Sequence, residues 1–133
     1  MRNTKHRPGL WPLLLILLIF GACVGAQSAV KVAEGKEKEA VVEMTASNFK
    51  FEPAVIQAQV GNNISLEIRN TASGNHNFTL KDPKGQVIQS YDLPPNQKIT
   101  VKVSLKEAGV YEFYCDKPFH STMGMKGRLE VAQ

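Results

Sequence analysis

The chain has 133 residues, room for one domain and a short extension, with a composition ordinary for a folded protein. Its formal charge of +4 comes from sixteen basic and twelve acidic residues, but Arg2, Lys5 and Arg7 all lie in the first ten positions. Without those three, thirteen bases face twelve acids and no basic stripe or basic helix remains, which excludes a nucleic-acid footprint.

Residues 1–9 are basic, residues 10–20 are apolar and unbroken from Leu13 to Phe20, and small residues follow at Gly21, Ala22, Gly25 and Ala26. This is the order of an export signal over residues 1–26. The apolar run is short against the ~20 residues of a membrane span. Two processing routes compete. Val24-Gly25-Ala26 fits a cleavage site that releases a chain from Gln27, whereas Phe20-Gly21-Ala22-Cys23 resembles a bacterial lipobox and would leave Cys23 lipidated. An uncleaved anchor is a third outcome. Each route leads out of the cytoplasm, to the periplasm or the outer face of the cell membrane, and two of them give a membrane tether. Residues 27–39 are small, polar and charged, and read as a flexible linker.

The domain is expected over residues 40–133. Strands are expected at 40–45, 55–60, 64–69, 76–80, 86–91, 98–103, 110–115 and 128–131. The alternation is cleanest where Ile64, Leu66 and Ile68 share one face, and again where Ile99, Val101 and Val103 do. Turn-forming clusters separate the strands, including Gly61-Asn62-Asn63, Asp82-Pro83-Lys84-Gly85 and Pro94-Pro95-Asn96. No helical period is sustained. Seven or eight short strands with regular turns predict an all-β sandwich or barrel, with Met44 in its core.

Cysteine usage sharpens the reading. Of two cysteines, Cys23 lies in the targeting segment, so the domain holds the single thiol Cys115 and no internal disulfide. A free thiol outside the cytoplasm is exposed to oxidation, and metal ligation is one reason to keep it. Cys115 opens a C-x4-H-x4-M run with His120 and Met125, at the end of an expected strand. A second imidazole, His76, begins an upstream strand. One thiolate, two imidazoles and a weak thioether form the donor set of a blue-copper site. The domain's two histidines and one cysteine are all used by this set, and none is left over.

On these residues the segment resembles the plastocyanin/azurin class of cupredoxins. His76-Asn77-Phe78 after Asn70, Phe49-x-Phe51-x-Pro53 with Val60-Gly61-Asn62, and Gly124-Met125-Lys126-Gly127-Arg128-Leu129 carry the likeness across residues 40–133. The resemblance implies a Greek-key sandwich binding one type 1 copper ion. His76 and His120 would be the equatorial imidazoles, Cys115 the equatorial thiolate and Met125 the axial thioether. Met123 competes for the axial place, and the run from Gly124 into the last strand favours Met125. Asn77 would tie the two ligand loops together. Phe119 stands where relatives often have glycine or no residue.

The implied role is a monomeric electron carrier, not an enzyme. It would meet redox proteins such as cytochromes or membrane electron-transfer complexes, docking briefly around His120 and Phe119. A copper oxidase would need further copper sites, and no spare histidines exist to build one. A binuclear copper centre would need a second cysteine in the loop, and residues 116–119 contain none. A non-redox copper carrier or buffer of the cell envelope would use the same ligands and is the alternative.

Overall fold

The computed structural model describes residues 29–32 and 39–133. The export signal read over residues 1–26 lies outside them. Ten strands follow in chain order: β1 (Ala29–Lys31), β2 (Glu39–Ser47), β3 (Lys50–Glu52), β4 (Val55–Gln59), β5 (Asn63–Asn70), β6 (His76–Lys81), β7 (Val87–Leu93), β8 (Lys98–Ser104), β9 (Gly109–Tyr114) and β10 (Lys126–Ala132). No helix occurs among the described residues. All eight expected strands are present. The two additional ones, β1 and β3, have three residues each, too few to show an alternating pattern. β1 also lies inside the stretch read as a linker: Val30 pairs with Ile56, and Val32 just beyond it is buried.

The strands form two sheets. One has the order β1-β4-β10-β9-β6-β7 and the other β3-β2-β5-β8. β4 pairs in parallel with both β1 and β10, and β2 pairs in parallel with β5; the remaining pairs are antiparallel. The period-2 pattern sets which side is buried. In β5, Ile64, Leu66, Ile68 and Asn70 point inward, while Ser65, Glu67 and Arg69 look outward. Met44, Val101, Val103, Leu129 and Val131 join the same core.

Three aromatic rings fill the core at one end. Phe78 and Phe113 stack at 5.4 Å between centroids, and Phe51 from β3 meets both edge-on at 5.8 and 5.6 Å. Full burial of each ring contributes roughly 2–3 kcal/mol by area. Phe78 is two residues from His76 and Phe113 two from Cys115, so strand alternation turns each ring to the same side as a candidate ligand. Gly127 makes this packing fit. A Cβ there would stand 2.4 Å from the Phe113 ring and 2.4 Å from the carbonyl oxygen of Ala54.

Candidate metal centre

His76 opens β6, and its place is fixed by Asn70, the last residue of β5. That side chain is fully buried. Its Nδ2 donates to the carbonyls of Gly74 and Leu93, both at 2.9 Å, and its Oδ1 accepts from the Ala72 N–H at 2.9 Å. Leu93 is also the register partner of His76 across β6 and β7. One amide thus shapes the loop and closes it against the next strand.

Cys115 follows β9 directly, and the chain returns into β10 through residues 116–125. This loop is closed on itself. The Cys115 N–H donates to the Met125 carbonyl at 3.0 Å, and the Met125 N–H donates to the His120 carbonyl at 2.9 Å. His120 N–H reaches Lys117 O at 3.1 Å, and Met123 N–H reaches Phe119 O at 2.9 Å. Phe119 has φ of 66°, the left-handed region that glycine occupies most easily.

His76, Cys115 and His120 converge. Their donor atoms lie within 4.8 Å of one another. His76 Nδ1 is 3.1 Å from His120 Nδ1, Cys115 Sγ is 3.3 Å from His120 Nδ1, and Cys115 Sγ is 4.0 Å from His76 Nδ1. A point equidistant from these three atoms lies about 2 Å from each, the length of a transition-metal bond to nitrogen and close to that to sulfur. Two nitrogens facing each other with a sulfur beside both fit a trigonal copper set.

Met125 and Met123 separate by burial. Met125 is fully buried and bonded through its backbone to both Cys115 and His120, whereas Met123 is 58% exposed on the loop surface. Met125, and not Met123, is therefore in the interior, with its backbone bonded to two of the three donor residues.

The surroundings hold the donors in place. Asp116 N–H donates to Asn77 Oδ1 at 2.8 Å, tying the residue after Cys115 to the residue after His76. Thr79 continues this link: it accepts from Asn77 Nδ2 at 3.3 Å, donates to Asp116 Oδ2 at 3.3 Å and meets Ser90 Oγ at 2.9 Å. Such outer contacts orient metal ligands and tune their basicity. Phe49 meets the His120 ring edge-on at 5.3 Å. Its partner role had no sequence signal beyond its place near β3.

The two histidines differ in burial. His76 is 3% exposed, and burial first, then the neighbouring His120, holds its pKa below the ordinary imidazole value. With Nδ1 facing the other donors, the His76 proton belongs on Nε2, a buried atom with no hydrogen-bond partner among the described residues. His120 is half-buried. Beside it Phe119 is 78% exposed, Met123 is likewise exposed, and Pro118 completes an apolar rim.

This two-sheet fold with a Cys-His-Met loop closing into a last strand matches a described family. The Cupredoxin-like domain aligns with residues 13–131. The chain belongs to the cupredoxin-like family. A search of curated sequences found no match. Solved structures share the fold. A dithionite-reduced auracyanin from Roseiflexus castenholzii aligns with 74% of this chain and 100% of its own, at 20% identity and a TM-score of 0.61. Auracyanin A from Chloroflexus aurantiacus, a "blue" copper protein, aligns with 70% of this chain and 98% of its own, at 17% identity and a TM-score of 0.60. The metal-binding domain of the Streptococcus pneumoniae Cu(I)-exporting P-type ATPase CopA, solved with Cu(I), aligns with 82% of this chain and 100% of its own, at 17% identity and a TM-score of 0.61.

Proposed function

We propose that this cupredoxin binds one type 1 copper ion through His76, Cys115, His120 and Met125 and carries single electrons between redox partners in the cell envelope. The observation that supports this most directly is the convergence of two imidazole nitrogens and one buried sulfur around a common point. Bound copper would supply the one-electron couple. The chain's own residues do the rest. Asn70 and the Asn77–Asp116 bond hold the donor geometry, so little has to rearrange when the oxidation state changes. Phe78 and Phe113 keep water from the inner side. His120, half-buried and rimmed by Phe119, Met123 and Pro118, is the edge through which electrons leave. A small apolar rim suits the brief contacts of redox partners. No substrate bond is made or broken in this role. The residue order of the first 26 positions supports export to the periplasm or the outer face of the cell membrane.

A visible spectrum tests the reading. Purified protein with Cu(II) and an oxidant should develop an intense blue band that ascorbate bleaches and that Cys115→Ser abolishes. Colourless, weak copper binding would overturn the electron-carrier reading.

A second reading is a copper carrier, and the likeness to the CopA domain solved with Cu(I) favours keeping it. Exchange separates the two. An electron carrier keeps its Cu(I) against a competing chelator while a redox acceptor oxidises it within seconds; a carrier yields the metal on the same timescale.

A further inference from the structure

We infer that the N-terminal segment tethers this domain with its metal-loop end turned toward the membrane, so that His120, Phe119 and Met123 meet a redox protein whose docking face lies close to the same bilayer. The inference rests on the electron-carrier reading and on an anchor retained at Cys23 or the apolar run, and extends them to the geometry and class of the partner.

The direction of β1 carries the argument. β1 runs parallel to β4, with Ala29 opposite Val55 and Lys31 opposite Gln57. β4 in turn runs parallel to β10, with Val55 opposite Arg128. β10 begins at Lys126, the residue after Met125. Ala29, Val55 and Arg128 therefore form one row near the metal end, and the chain enters β1 travelling away from that end. The opposite end carries the turn at residues 82–85, where β6 has run its full length away from His76.

Chain length does the rest. The apolar run ends at Phe20 and Cys23 follows it. Six residue steps separate Cys23 from Ala29, at most about 20 Å fully extended; nine separate Phe20 from Ala29, at most about 30 Å. A compact domain of about 100 residues is roughly 35 Å across. Either anchor is shorter than the domain it holds, and it is attached on the metal side. The domain can tilt on such a tether, but it cannot turn end over end to bring residues 82–85 to the membrane. The partner fitted by this arrangement is membrane-bound, with its electron-exchanging surface low over the bilayer.

The test uses the full chain, recovered from bacterial membranes and reconstituted into phosphatidylcholine vesicles with dansyl-labelled headgroups. Trp11→Phe removes the one native tryptophan. Met123→Trp then reports the metal end, and Lys84→Trp the opposite end. Energy transfer to dansyl is read on the metal-free protein, so that copper does not quench. Transfer from Met123→Trp should be several-fold more efficient than from Lys84→Trp. A 20-residue Gly-Ser insertion after Ala26 should erase the difference. Recovery of the chain free of membranes, equal transfer from both ends, or a difference that survives the insertion would each overturn the inference; the last would mean that the loop adsorbs to lipid by itself. The blue band measured on the copper-loaded wild-type chain separates this from the function itself: a blue protein with equal transfer sinks only the orientation.

Discussion

At the residue scale the centre depends on a few buried polar atoms more than on its apolar neighbours. Asn77→Ala removes the acceptor for the Asp116 N–H beside Cys115. It should cost about 1–3 kcal/mol in urea unfolding and shift the blue band, because the link between the two ligand loops is cut. His76 gives the metal-free protein a pH dependence. Its folded pKa lies below the ordinary value of 6.5, so between the two values the unfolded chain holds more protons. Stability is then fully present above about pH 6.5 and falls as the pH drops toward the lowered value. Urea midpoints of the apo protein at pH 7 and pH 5 should show the fall, and His76→Gln should flatten it. Phe119 works on the surface. Phe119→Asp should slow reduction by a membrane redox partner about tenfold, a loss near 1.4 kcal/mol in docking, while leaving the copper spectrum unchanged; an equal rate would take Phe119 out of the docking surface.

At the element scale the decisive contact is between β9 and β10. Gly127 is opposite Phe113 across the pair, and its missing side chain leaves room for the edge of the ring. Gly127→Ala should destabilise the domain by roughly 1–3 kcal/mol by overpacking, read from thermal unfolding, although the position touches no ligand. The strands that alternate over six or more residues, such as β5 and β8, were legible in the sequence because burial on one face writes a period of two. β1 and β3 were not. Three residues carry no period, and their pairing depends on β4 and β2, which only the folded chain brings near. The candidate donors stood out for the opposite reason: His, Cys and Met are rare, and Cys115, His120, Met123 and Met125 fall within one loop. Met125 was favoured over Met123 by the run from Gly124 into the last strand, and burial separates the two in the same sense. Phe49 against His120 needed the fold, because the two are far apart in the chain and meet only across the end of the sandwich.

At the scale of the whole molecule, copper and fold are thermodynamically linked. The three donors come from both sides of a long sequence gap and form no site in an unfolded chain. At a thousandfold excess over its dissociation constant, copper should add about 4 kcal/mol, raising the unfolding temperature by roughly 20 °C, and Cys115→Ala should lose the increment. The order of the larger sheet also has a temporal side. β10 sits between β4 and β9, yet its residues are numbered 126–132, after every other strand. Until they emerge from whatever machinery makes or moves the chain, β4 and β9 have no common neighbour, and the loop from 115 to 125 is closed at one end only. Most of the sheet's pairings are distant in sequence, so nothing local can stand in for them. Nascent chains stalled before residue 126 should consequently remain protease-sensitive and copper-free, because metal loading has to wait for β10.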